Sequence, residues 1–139
     1  MKIVLFLVFV ILNYVMLFIV IPKISPNKSL KTLGIILGCL ILCAMILSAF
    51  LKPINDINSN IIFMLYVSII IIIGINIANL LSHMLVNYIV YFHEKFNTAN
   101  IDKNPIKFLI EKRENIKKAF TIIWFILATV ILAGNWFGK

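Results

Sequence analysis

Charge is scarce in this chain, and acidic charge is scarcest. Only 13% of its 139 residues are Asp, Glu, Lys or Arg, against roughly 25% in a typical soluble domain. All acidic residues lie outside the long apolar runs: Asp56, Glu94, Asp102, Glu111 and Glu114. Small multidrug transporters work through a carboxylate embedded in the membrane, and this sequence offers none at such a position.

Catalytic and metal-binding groups are also few. The sequence contains no G-x-S-x-G, H-E-x-x-H, C-x-x-C or phosphate-binding loop. His83 and His93 are the only histidines, and on one helix they point about 80° apart, so they do not pair as haem ligands. Cys39 and Cys43 lie inside an apolar run, where cysteine ordinarily acts as a small apolar residue. We therefore expect no enzyme and no cofactor; a soft-metal site built from these cysteines and His83 is the alternative.

Apolar residues dominate instead. They make up 63% of the chain, and the mean hydropathy is +1.09. Four apolar runs predict transmembrane helices over residues 3–21, 32–51, 61–92 and 119–137. The first run exceeds the h-region of a signal peptide, and no small-x-small cleavage site follows it, so we expect an uncleaved helix. The predicted fold is all-α, a polytopic membrane protein with one domain over residues 1–139.

One substantial polar segment separates the third and fourth runs. Asn104-Pro105 is typical of a helix start, and residues 105–118 then place apolar side chains near one face. We expect a short amphipathic helix on the cytoplasmic membrane surface. Its basic residues would contact anionic headgroups or a cytoplasmic partner: Lys107, Lys112, Arg113, Lys117 and Lys118.

The distribution of basic residues predicts the topology. The loops at 22–31 and 95–118 hold ten of the thirteen Lys and Arg residues; Lys2, Lys52 and Lys139 are the others. Because cytoplasmic loops are enriched in Lys and Arg, both basic loops should face the cytoplasm and both termini the outside. The net charge of +8 then indicates contact with an anionic bilayer, not with nucleic acid. Frequent Ile, Lys and Asn hint at a bacterial inner membrane protein.

The third run carries a polar stripe, one face of a helix that bears Ser68, Asn76, Asn79, Ser82, His83 and Asn87. Counted from an outer end at Asn60, Asn76 would lie about 24 Å deep and His83 about 34 Å, at the far interface. The remaining intramembrane residues, with Asn13 of the first run, predict interhelical hydrogen bonds worth about 0.6–2 kcal/mol each. The run would measure about 48 Å as one helix, so it must tilt, break near Gly74 or project from the membrane.

Gly34 and Gly38 form a G-x-x-x-G pair in the second run. Small residues aligned in this way let two membrane helices approach closely. The residues expected to make helix–helix contacts are therefore Asn13, Gly34, Gly38, Ser68, Asn76, Asn79 and His83.

Two functional interpretations follow. The first is a non-catalytic inner-membrane protein that acts through helix–helix recognition, as an accessory or regulatory subunit or an immunity-type protein, with a membrane-protein partner or as a homo-oligomer. The alternative is a small oligomeric channel, transporter or holin-like protein lined by the polar stripe. The layout of four spans is similar to that of immunity proteins against pore-forming bacteriocins, holins and accessory subunits, although no motif carries the likeness.

Overall fold

The computed structural model describes residues 1–50 and 57–138, and side chains within these ranges except at 46–50 and 57–59. The predicted end of the second span at residue 51, Lys52 and Lys139 lie outside the described residues. Over the described ranges the chain is all-helical, and four helices are long and apolar enough to cross a membrane. The predicted fold class is confirmed.

The first span is a composite helix. Helix α1 covers Lys2–Val15 and continues through a π-helical turn, Met16–Val20, and a 3-10 turn, Ile21–Lys23. Pro22 lacks a backbone N–H and so cannot continue the hydrogen-bonding pattern of an α-helix. Helix α2, Pro26–Phe50, begins before the predicted residue 32, because its first turns are polar and precede the apolar run. Pro26 fits this position, where its missing N–H needs no partner.

Helix α3, Ile57–Phe96, is one unbroken α-helix of 40 residues. Its length is about 60 Å at 1.5 Å per residue, twice the hydrocarbon thickness of a bilayer. It passes through Gly74 without a break, so a membrane crossing by this helix would require it to tilt or to project beyond the bilayer. It packs against α1, α2 and α5, and is thus the central helix of the bundle.

The polar segment differs from the single helix predicted over 105–118. Helix α4 covers only Ile106–Glu111, and α5 already begins at Arg113 and runs to Phe137. Lys112 leaves helical geometry (φ −105°, ψ 12°), and its N–H donates to the Phe108 carbonyl, which closes α4. The fourth helix therefore starts before the predicted residue 119. The first turns of α5 contact α3, and these contacts align residues 113–118 with the bundle. Such contacts cannot be predicted from the local sequence.

Three apolar clusters hold the bundle together along α3. Near the termini, Phe9 and Ile72 pack against Leu132 and Trp136. The middle cluster contains Leu17, Ile75 and Ala128. The third contains Ile21, Leu33, Ile73 and Leu80.

The chain runs up and down through the bundle, so its two basic loops share one end. Phe6 and Phe137 are in ring contact, with centroids 5.2 Å apart, which places the start of α1 beside the end of α5. At the opposite end, Pro22, Pro26 and Lys117 line a common cavity. We refer to this second end as the basic end.

Candidate functional site

The first polar contact joins α1 to α3 in the middle of the bundle. Asn76 Nδ2 donates to Asn13 Oδ1 over 3.3 Å and to the Ile72 carbonyl over 2.7 Å. Both asparagines are 0% exposed. Asn13 Nδ2 and Asn76 Oδ1 have no hydrogen-bond partner in the described part of the chain. The Asn13 oxygen and the Asn76 nitrogen thus hold the helix pair together, and the other polar atom of each side chain stays buried and unpaired.

Near the termini, Ser68 joins α3 to α5. Its hydroxyl accepts hydrogen bonds from Trp136 Nε1 at 2.9 Å and Asn135 Nδ2 at 3.0 Å, and donates to the Met64 carbonyl at 2.8 Å. Trp136 is only 1% exposed and stacks on Phe9. The indole turns inward, where its N–H finds a hydrogen-bond acceptor.

Towards the basic end, Asn79 and His83 join α3 to α5 through Thr121. Thr121 Oγ1 donates to Asn79 Oδ1 over 3.2 Å. His83 Nε2 lies 3.0 Å from both the Lys117 carbonyl and Thr121 Oγ1. Since a carbonyl only accepts, a hydrogen bond to the Lys117 carbonyl requires a proton on His83 Nε2. The group ties the first turns of α5 to α3.

The polar stripe of α3 therefore faces protein for most of its length. Its partners on α5 were not identified from the sequence: Thr121, Trp124, Asn135 and Trp136. Trp124 Nε1, for instance, donates to Ser82 Oγ over 3.0 Å. A signal was present, since these residues recur on one face of the fourth apolar run at the spacing of an amphipathic helix.

A cavity of about 440 Å³ lies at the basic end, where the end of α1, the middle of α3 and the start of α5 meet. Its lining is divided into an apolar and a polar part. The apolar part contains Leu17, Phe18, Ile21, Pro22, Ile24, Pro26 and Leu80. The polar part contains Asn79, His83, Asn87, Glu114, Lys117, Lys118 and Thr121.

The two glycines of α2 do not mediate packing within the described chain. Gly34 and Gly38 are exposed, and a Cβ built on either meets no other atom within 4 Å. Helix α2 instead packs through Leu33 and Leu37, and the Tyr66 hydroxyl of α3 donates to the Leu40 carbonyl. The G-x-x-x-G face is thus directed away from the bundle.

The predicted basic contact residues fall into two groups. Lys107, Lys112 and Arg113 are exposed on and after α4. Lys117 has a side chain only 15% exposed and lies 2.9 Å from the Glu114 carboxylate, which is itself 64% exposed. Lys118 is exposed and lines the cavity beside it. Only the second group therefore belongs to a structured site.

Metal-binding side chains are not brought together. Cys39 and Cys43 are exposed on α2, and His83 faces α5. Within residues 1–50 and 57–138 no group of three His, Cys, Asp or Glu side chains could hold a metal ion. No family model, curated protein or solved structure matches the chain.

Proposed function

We propose that this chain is a non-catalytic membrane protein that acts by recognising a membrane-spanning helix of another protein, as an accessory or regulatory subunit or an immunity-type protein. In this proposal it resides in a bacterial inner membrane, with the basic end cytoplasmic and both termini outside. The positive-inside bias of its loops supports that orientation.

The observation that carries the proposal is the uncovered glycine face of α2. Helices α1, α3 and α5 are linked by side-chain hydrogen bonds at Asn13, Ser68 and Asn79. Over its described side chains, helix α2 packs against α3 through Leu33 and Leu37, and Gly34 and Gly38 lie on another side with open space above both Cα atoms. The bundle and the recognition surface are then separate parts of the molecule.

The physics of membrane helices favours a protein occupant for this face. Lipid tails are as apolar as leucine, so helices associate in a bilayer through close packing instead of through the hydrophobic effect. A groove floored by two glycines lets a second backbone approach closely, which increases dispersion contacts along several turns. Gly34, Gly38 and Ile41 follow one another at helical spacing along that face.

Co-purification of a tagged chain from its native membranes tests this. We expect a protein to be retained in fixed proportion by the unaltered chain and lost with Gly38→Ile, whose branched side chain fills the groove. Gly74→Ile is the matched control, because Gly74 of α3 also has open space around its Cβ but lies on another helix. The Gly74→Ile chain should still retain the partner protein.

Three results would count against the proposal. One is a chain that purifies alone, and another is equal loss of the partner in both variants. The third is a homo-oligomer whose assembly depends on Gly38. The glycine face would then be the interface between identical chains, and the chain would have no accessory role.

The channel alternative receives less support from the structure. Ser68, Asn76 and Asn79 are at most 1% exposed and are packed against α1 and α5. A pore lined by them would require these helices to separate. Solute flux in liposomes that falls with Asn76→Leu would nevertheless favour it.

A further inference from the structure

The cavity at the basic end has the amphipathic character of a lipid site. Its apolar wall is formed largely by the π-helical and 3-10 turns that follow α1, including Leu17, Phe18 and Ile21. Its polar wall belongs to α3 and the first turns of α5. A volume of about 440 Å³ lies within the usual range of ligand sites. The lining thus suits a molecule with one polar and one apolar part.

A buried hydrogen-bond donor lies in the polar wall. Asn79 is 1% exposed, and its Oδ1 lies 3.2 Å from the Thr121 hydroxyl, which shares its proton between this oxygen and the Lys117 carbonyl. Its Nδ2 has no hydrogen-bond partner in the described part of the chain. An unpaired buried N–H costs free energy, which an acceptor atom of a ligand in the cavity would recover. A ligand with a hydrogen-bond acceptor, such as a phosphate oxygen, would therefore complement the site.

The charge of the lining also favours an anion. Lys117 and Lys118 contribute two positive charges, against one negative charge from Glu114. Glu114 binds Lys117 over 2.9 Å and would oppose an anion directly beside it, but it is mostly exposed. Lys118 makes no ion pair among the described residues and is available to a ligand.

We propose that this cavity binds the phosphate headgroup of an anionic phospholipid. Lys118 and Asn79 Nδ2 contact the phosphate oxygens, and the acyl chains leave along Phe18 and Ile21. The cavity lies where α1 ends and α5 begins, the level of the headgroups on the lysine-rich side of the bundle. Basic cavities between helices at this level are typical sites for anionic lipids. The apolar wall distinguishes this ligand from a free phosphate ester.

Native mass spectrometry of the full chain in mild detergent tests the proposal, with phosphatidylglycerol or phosphatidylcholine added at equal concentration. We expect one phosphatidylglycerol to be retained in preference to phosphatidylcholine. Lys118→Gln should weaken that retention about fivefold, the effect of losing one lysine at a membrane surface. Lys107→Gln removes the same charge from α4, outside the cavity, and should leave retention unchanged.

Asn79→Leu separates the buried donor from the lysines. It should also reduce phosphatidylglycerol retention, and unchanged tryptophan emission would show that the bundle is intact. Equal retention of both lipids, or equal effects of Lys118→Gln and Lys107→Gln, would overturn the proposal in favour of diffuse surface charge. Soluble glycerophosphate that displaces the lipid completely would overturn it in favour of a free phosphate ester.

Discussion

Asn76 of α3 donates a hydrogen bond to Asn13 of α1 at a depth where neither side chain is exposed. The pair fixes the register between two long apolar helices whose other contacts are non-directional. Asn76→Leu should destabilise the bundle, because it leaves the Asn13 amide buried without this partner. A double-mutant cycle with Asn13→Leu should give a coupling energy of about 0.6–1.7 kcal/mol. Unfolding in mixed micelles of mild detergent and dodecyl sulfate measures it.

One result of the double-mutant cycle would contradict this account. If the two leucine substitutions add without coupling, the asparagines contribute nothing through their mutual contact. The register would then be set by the apolar clusters alone.

Ser68→Ala should destabilise the chain by about 1–3 kcal/mol, because the buried Trp136 indole N–H loses its acceptor. Asn135 Nδ2 keeps the Met64 carbonyl as an acceptor at 2.9 Å. Trp136 emission should shift as its N–H loses this contact. Ser82→Ala is the matched control: among the described residues Ser82 accepts a single hydrogen bond, from the half-buried Trp124 indole. A smaller loss of stability is expected there, and equal losses would contradict the account of the Ser68 contact.

Tyr66→Phe should loosen α2 selectively. The hydroxyl of Tyr66 bonds the Leu40 carbonyl and is a polar link between α2 and the central helix. Its removal should lower the stability of docked α2 by about 0.5–1.5 kcal/mol. Hydrogen exchange should then become faster in α2 while protection in α1 and α5 stays the same. Uniform acceleration over all helices would show that α2 does not separate as a unit.

Gly38→Ala should stabilise the isolated chain by about 0.5–1 kcal/mol, since alanine restricts the unfolded backbone and its methyl group meets open space. Gly74→Ala should have a similar effect for the same reason. A thermal unfolding series in detergent compares them. Destabilisation by Gly38→Ala alone would mean that the glycine face is packed within the chain itself.

The spans and the polar stripe could be predicted because each has a strong local signal. Long apolar runs define the helices, and the helical spacing of Ser68, Asn76 and Asn79 defines a common face. The residues that contact that face were harder to predict, because the contacts depend on how helices far apart in sequence are aligned. Thr121 illustrates this: its role appears only when α5 lies beside Asn79 and His83.

The start of α5 and the partner of the glycine face could not be predicted from the sequence either, because both depend on contacts between helices. No glycine or proline marks the break at Lys112, where contacts with α3 decide the start of α5. The spacing of Gly34 and Gly38 predicted a close helix contact but could not say whether the second helix belongs to the same chain. The structure directs that face outward.

Photo-crosslinking from α2 in native membranes tests the recognition account most directly. In a chain with Cys39→Ala and Cys43→Ala, Ile41→Cys carries a benzophenone probe on the glycine face. We expect one protein adduct of defined mass, lost when Gly38→Ile is added. A probe on Cys39 alone, on the other side of α2, should give chiefly lipid adducts. No adduct from position 41, or one that persists with Gly38→Ile, would contradict the account.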